Sequence, residues 1–336
     1  MSRDFEPLRA AVFGVGHLGR HHARILAESP GVVLDAVVDP DEERGRSHAE
    51  RWGCRWAPSR HALESLPDLA VVAAPTVRHE EIAVPLLRAG VPCLVEKPLA
   101  PDVAACDRIL EAAREGGAVL AVGHVERFNP AVARAMELGI RPRFLEAHRL
   151  APFPFRSTDV GVVLDLMIHD LDLALAWTGS DVRSVDAVGG ATLSEAEDIA
   201  SVRIRFEDGS VANLTASRLS LKPMRRFRVF GPDCYVSVDS GERYALLVRK
   251  APDFSSDKVA AAAGAADPLQ AFRSLLQVEE LELEEDEPLR AELADFVAAV
   301  RDGGEPRVTG EAGRRAVAAA ERVLEALRSD PAWNAS

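Results

Sequence analysis

Through its first 125 residues the chain alternates short, almost wholly apolar runs with stretches of helical spacing. The runs are "LRAAVFGVG", "VVLDAVVD", "LAVVAAP", "VPCLVEKP" and "AVLAVGHV". Apolar strands separated by helices belong to a parallel sheet covered on both faces, so residues 1–125 read as a doubly wound α/β domain. Beyond about residue 180 the texture changes to alternating, antiparallel-type strands: "SVRIRFEDGSVANLTASR" with an Asp208-Gly209 turn, then "RRFRVFG", "YVSVDS" and "RYALLVRK". Residues 126–307 therefore read as an α+β domain. The stretch 251–268, "APDFSSDKVAAAAGAADP", has no clear period and reads as a loop, with an Ala-rich helical turn as the alternative, and "EAHRLAPFPFRSTDV" also reads as loop. Two helices close the chain, "PLRAELADFVAAVRDGG" and "TGEAGRRAVAAAERVLEALRS", the second with Thr309 as its N-cap and with 308–330 packing back on the first domain.

One apolar run is interrupted in an unusual way. Residues 161–175, "GVVLDLMIHDLDLAL", are aliphatic except for Asp165, His169, Asp170 and Asp172. At roughly 100° per residue, Asp165, His169 and Asp172 fall within about 60° of one another, while Asp170 points away. The bland alternative to a functional stripe is a structural His/Asp pair buried in a core.

Charge and cysteine content narrow the class. The 336 residues carry 53 acidic and 40 basic side chains, a net −13, which opposes nucleic acid or an anionic membrane as the main partner. The cysteines (Cys54, Cys93, Cys106, Cys234) form no C-x-x-C pair, so neither zinc nor a disulfide framework is expected, and a reducing cytoplasm fits best. The first residues, "MSRDFEPLRAAVFGVG", have Asp4 and Glu6 before a short apolar run, unlike a signal peptide or membrane span.

Candidate chemistry clusters at strand ends. In "GVGHLG", Gly14 permits a tight turn, Gly16 lets backbone approach a pyrophosphate, and Gly19 lets helix and strand pack closely. Asp39, twenty residues past Gly19, ends the second strand, where a carboxylate accepts hydrogen bonds from ribose hydroxyls. Asp41, Glu42 and Glu43 follow it, so a ribose 2′-phosphate would meet carboxylates before Arg44, which favours NAD over NADP. In "APTVRH", Pro75, Thr76 and His79 reach the sheet's carboxyl edge, and in "VEKP" Pro98 keeps Lys97 out of helical geometry at the same edge.

Taken together, Gly-x-Gly-x-x-Gly, Asp39, "APTVRH", "EKP", "GHVERFNP" and Asp-x-x-x-His resemble the Gfo/Idh/MocA oxidoreductases over nearly the whole chain. The resemblance implies a Rossmann-type domain followed by an open-faced, mainly antiparallel sheet that forms dimers or tetramers. It implies NAD held by Gly14, Gly16, His17, Leu18, Gly19, Asp39, Pro75, Thr76, His79, Glu96 and Lys97. It further implies Lys97, Asp165 and His169 around the reacting hydroxyl, and a Lys97-Pro98 bond that is often cis. His169 has the pKa range of a general base, Asp165 can orient it, and Lys97 can stabilise a developing alkoxide; His169 or Lys97 is the immediate proton acceptor.

The stretches "GHVERFNPAV", "EAHRLAPFPFRSTDVGVVLDLMIHDLDL" and "EDIASVRIRFEDGSVANLTASR" are similar to the branch that oxidises the 3-hydroxyl of UDP-N-acetylglucosamine towards diamino-type lipid A. Arg156, with Arg218, Lys222, Arg225, Arg226 and Arg228, offers cations for a diphosphate, and Arg127 and Asn129 are candidate sugar contacts. A free polyol such as myo-inositol, a glycosidase using NAD transiently and a non-catalytic NAD-binding regulator are the alternatives. Retention of Lys97, Asp165 and His169 together weighs against the regulator.

Overall fold

The computed structural model describes residues 6–153 and 160–330. Residues up to Phe128 form β1 (Leu8–Phe13), α1 (Gly19–Glu28), β2 (Val32–Val38), α2 (Glu42–Trp52), β3 (Arg55–Ala57), β4 (Leu69–Val72), α3 (His79–Arg88), β5 (Cys93–Glu96), α4 (Val103–Gly116) and β6 (Leu120–Gly123). The six strands pair in parallel in the order β3-β2-β1-β4-β5-β6, the Rossmann order, whose direction reverses between β1 and β4. β4, β5 and β6 are buried along their whole length, as apolar runs covered on both faces require. Local chemistry sets the helix ends. Asp41 and Asp102 cap α2 and α4 through the amides of Arg44 and Ala105 at 3.0 and 2.7 Å, and left-handed Gly53 and Gly117 stop the same helices.

Residues 129–285 hold α5 (Pro130–Glu137), β7 (Phe144–Leu150), α6 (Ile168–Thr178), β8 (Val182–Gly190), β9 (Ile199–Phe206), β10 (Val211–Ser217), β11 (Met224–Phe230), β12 (Cys234–Asp239), β13 (Tyr244–Lys250), α7 (Ser256–Ala263), α8 (Pro268–Arg273) and β14 (Leu276–Glu280). They build one sheet, β14-β13-β12-β11-β7-β10-β9-β8, antiparallel throughout except where β7 and β10 run parallel. Alternation sorts its faces. Leu145, Ala147, Val202, Ile204, Phe227 and Val229 point into a core shared with α5 and α6, where Trp177 stacks on Phe227 at 5.6 Å. Glu146, His148, Arg226 and Arg228 occupy the more exposed face.

α9 (Pro288–Asp302) and α10 (Gly310–Ser329) follow, with Thr309 Oγ1 accepting the Ala312 amide at 3.2 Å as the expected cap. Among the described residues two compact units result: 6–128 with 286–318, and 129–285 with 319–330; Ala319, Ala320, Val323 and Leu327 of α10 pack in the second core, so 308–330 does not return whole to the first domain as expected. Leu293, Phe296 and Val297 of α9 pack in the first core, so 286–307 belong with the nucleotide-type sheet rather than with the contiguous 126–307 expected from sequence. Two further expectations change. "EAHRL" is part of strand β7, paired on both sides, not loop. Residues 251–268 take the Ala-rich helical alternative rather than loop, forming α7 capped by Ser255 through the Lys258 amide at 3.3 Å, because the alanine run lacks competing side-chain hydrogen bonds. No helix among the described residues is long and apolar enough to cross a membrane.

Candidate active site

The first unit presents its chemistry at the carboxyl edge beside the β1/β4 switch point. Gly14 has φ +85°, and a Cβ there would sit 2.8 Å from the Ala74 nitrogen; at Gly19 it would sit 1.8 Å from the Gly14 carbonyl oxygen. No other residue permits this strand-to-helix turn. A Cβ on Gly16 would meet nothing within 4 Å, so the backbone there faces open space. A cleft of about 620 Å³ opens on this turn, lined among others by Gly14, Gly16, Asp39, Arg44, Ala74 and Pro75. Its glycine turn, the N-terminus of α1 and an acid at the end of β2 fit a dinucleotide.

Several expected cofactor contacts have partners within the protein. Asp39 is buried, and its carboxylate accepts from Val15 N (2.9 Å), Asp41 N (3.0 Å) and both Nε (3.1 Å) and Nη2 (2.7 Å) of Arg44. Burial alone would raise its pKa, but the Arg44 guanidinium and the two amides outweigh that and hold it below the ordinary carboxylate value. Arg44 thus lies on Asp39, not behind a screen of acids, which corrects the charge order inferred from sequence. His79 is buried, with Nε2 2.8 Å from the Ala74 carbonyl and Nδ1 3.1 Å from that of Pro98. Burial lowers its pKa, and the ring ties the β4 and β5 loops together instead of lining the cleft. Glu96 is likewise buried, accepting from the Lys97 amide at 3.2 Å with His22 Nε2 2.7 Å away, so it supports the loop from within. Lys97 is half-buried beyond it, and the Lys97-Pro98 bond is cis. His17 is exposed, edge-on to the His21 ring at 6.3 Å; Leu18 and Thr76 are half-buried at their helix starts, and none of the three lines the cleft. Arg60, His61 and Arg78, which the sequence reading missed, do line it.

In the second unit the polar stripe begins inside a π-helical turn, Val163–Met167, that runs into α6. Single π turns recur at functional sites because they shift the side chains that follow out of regular phase. Asp165 and His169 are half-buried, whereas Asp172, read as the structural member of the stripe, is 1% exposed. Asp170 turns the other way into a bidentate pair with buried Arg149, at 3.0 and 2.8 Å. The entry to this turn is fixed by side chains. Glu197 accepts the Val163 amide at 3.1 Å, and Arg218 donates to the Val160 carbonyl at 2.7 Å while pairing with Asp198 at 2.6 Å.

The basic cluster disperses. Arg218 is 1% exposed and committed to Asp198, while Arg226 and Arg228 pair with Asp239 and Glu146 at 3.1 and 3.4 Å. Arg226 and Arg228, two apart on β11, stay on one face, and it is Arg218 that is drawn away to Asp198. Asn129, expected at the sugar, caps α5: its Oδ1 accepts the Ala131 amide at 3.1 Å and its Nδ2 donates to the Ser240 carbonyl at 3.2 Å. Arg127 is half-buried in the first unit, its carbonyl accepting from Arg307 at 3.4 Å. Arg156 lies outside the described residues.

A glycine-turn nucleotide domain followed by an open-faced sheet with an Asp-x-x-x-His helix defines an oxidoreductase, and the chain belongs to the GFO/IDH/MocA family. Residues 8–124 match "Oxidoreductase family, NAD-binding Rossmann fold", and residues 138–236 match the GFO/IDH/MocA C-terminal domain. The chain is 38% identical to the UDP-N-acetylglucosamine 3-dehydrogenase of Acidithiobacillus ferrooxidans, over 96% of this chain and 98% of that protein. It is 28% identical to the myo-inositol 2-dehydrogenase of Thermotoga maritima over the same shares. The solved structure of the Acidithiobacillus enzyme, GnnA, superposes with a TM-score of 0.85 at 36% identity, covering 96% of this chain and 98% of that one. Levoglucosan dehydrogenase in complex with NADH shares the fold, at TM-score 0.82 and 19% identity over 96% and 97%. The first unit is an NAD-binding Rossmann domain, and NAD is the cofactor.

Proposed function

We propose that the protein oxidises the 3-hydroxyl of UDP-N-acetylglucosamine to a ketone with NAD, supplying a substrate for transamination in amino-sugar and lipid A synthesis. The observation that carries this reading is the 38% identity to an enzyme of that activity across both units, against 28% to an inositol dehydrogenase. Bound NAD supplies the hydride acceptor. Alcohol oxidation also releases a proton, and His169, half-buried on its helix, accepts it as general base. Asp165, at the π turn, orients the imidazole or a neighbouring sugar hydroxyl. The Lys97 ammonium stabilises the alkoxide as charge develops. We place the enzyme in the cytoplasm as a homo-oligomer, and Arg156 at the diphosphate.

The test incubates the protein and NAD with UDP-N-acetylglucosamine, free N-acetylglucosamine or myo-inositol, following NADH, with a coupled aminotransferase and glutamate to draw off the ketone. Turnover is expected only with the nucleotide sugar, because a diphosphate anchored away from the reacting carbon adds binding energy that orients it. Preferential oxidation of inositol overturns the substrate; no NADH from any of the three despite tight NAD binding overturns the dehydrogenase reading. Lys97→Ala and His169→Ala should each lose on the order of 10² or more in kcat while NAD binding survives.

A further inference from the structure

Below the end of β5 the first unit buries three ionisable side chains from three elements. His22 of α1, Glu96 of β5 and Glu292 of α9 are 0%, 6% and 2% exposed, and each offers an atom within 4.8 Å of the other two. Each Glu96 oxygen has one partner and a lone pair to spare: Oε1 lies 2.7 Å from His22 Nε2, and Oε2 accepts the Lys97 amide at 3.2 Å. Its seat is tight, since a Cβ on Gly123 of β6 would come within 2.8 Å of Oε2. Glu292, by contrast, has no hydrogen-bond partner for either carboxyl oxygen among the described residues.

An ionised carboxylate without donors does not persist in such a place; it takes up a proton and becomes a donor itself. Burial, reinforced by the charges of Glu96 and Asp295, moves the Glu292 pKa well above the ordinary value. The ionisable groups on the elements packed against α9 are Arg20, His21, His22, Arg24 and Glu28 on α1, of which Arg24 pairs with Glu287 and Glu28 with Arg290, and Glu126 and Arg127 in the 125–128 turn.

We propose that Glu292 holds a proton and shares it with Glu96, completing a His22–Glu96–Glu292 clamp that fixes the Glu96-Lys97 peptide and so positions the Lys97 ammonium for alkoxide stabilisation. Glu292 is thereby a positioning residue, acting on the reaction through Glu96 and the Lys97 backbone. The clamp rests on the role given to Lys97 under Proposed function. The same three ligands would suit a divalent cation only with Glu292 ionised, so the two states exclude each other.

Infrared difference spectra of wild type against Glu292→Gln at neutral pH should show a protonated carboxyl band that the variant lacks, a readout independent of substrate. With NAD and UDP-N-acetylglucosamine, Glu292→Leu should stay folded and bind NAD normally yet lose roughly tenfold or more in kcat, the scale of a small misplacement of a reacting group. Glu292→Gln, which keeps a donor, should recover turnover close to wild type. A purely structural carboxyl predicts instead that Leu, which removes an unpartnered buried polar group, leaves kcat intact. Lys97→Ala is assayed in parallel. If it is inactive while Glu292→Leu is fully active, the clamp is overturned and the Lys97 role stands; if Lys97→Ala is fully active, both fall. Absence of the carboxyl band, or an equimolar divalent metal in the purified enzyme that Glu292→Gln loses, also overturns the proton.

Discussion

Asp198 in the second unit and Glu292 in the first are both buried, at 0% and 2% exposure, yet they are driven in opposite directions. Asp198 collects the amides of Thr192 (2.8 Å) and Ser194 (3.0 Å), the Leu193 amide, Ser194 Oγ (2.8 Å) and the Arg218 guanidinium (2.6 Å). Burial pulls its pKa up, but these donors outweigh it and hold the carboxyl far below the ordinary range. Glu292 meets burial with no such donor, and its pKa rises. Burial sets the cost of a charge; the donors within reach decide whether the charge exists.

The largest effect should come from breaking the satisfied side. Arg218→Met leaves Asp198 ionised and buried without its countercharge, which costs about 3–5 kcal/mol. It also frees the Val160 carbonyl at the entry to the π turn. Urea unfolding should show the loss as a lowered midpoint for the second unit. A midpoint within error of wild type would mean that the backbone amides alone satisfy Asp198.

A smaller effect separates the two carboxyls by pH. Asp198, with its folded pKa depressed below the ordinary value of 3.8, contributes stability that is present above pH 3.8 and lost as pH falls through the folded value. Glu292, with its folded pKa raised above 4.5, contributes stability that is present below pH 4.5 and lost as pH rises towards the folded value. Glu292→Gln carries no such proton. The melting temperature of the variant relative to wild type should therefore climb as pH rises above about 4.5. A difference that is flat from pH 4 to 8 would place the Glu292 pKa near its ordinary value and dissolve the contrast.

What could be read beforehand divides along the same line. Gly14 and Gly19 are legible because backbone sterics admit one residue type, and Asp165 and His169 because ionisable groups interrupt an aliphatic run. The π turn is not, since a fixed period of 3.6 assumes the helix it fails to describe. Arg218 reads as a phosphate ligand among neighbouring cations until strand pairing puts it beside Asp198, twenty residues back. Glu292 left a signal that a closer reading would catch: a carboxyl inside the apolar stripe of Leu289, Leu293 and Phe296. Donor networks between distant residues are set by tertiary pairing, and local pattern is silent about them.

Asp39 stands between the two extremes and gives the smallest effect. Its four acceptor sites are filled, but two of the donors come from Arg44, whose side chain is 42% exposed and can leave at little cost, an exposed partner being worth roughly 1 kcal/mol or less. Arg44→Ser should hardly change stability, yet it vacates two acceptor positions on a buried, ionised carboxylate at the dinucleotide cleft. Ribose hydroxyls can then donate there, while a 2′-phosphate meets Asp39 with its countercharge gone. Titration calorimetry should show the ratio of NAD to NADP affinity rising about tenfold, the worth of one hydrogen bond to a charged group. Since Arg60 and Arg78 also line the cleft, a ratio that does not move would assign cofactor preference to those cations instead and leave Arg44 as a partner of Asp39 alone.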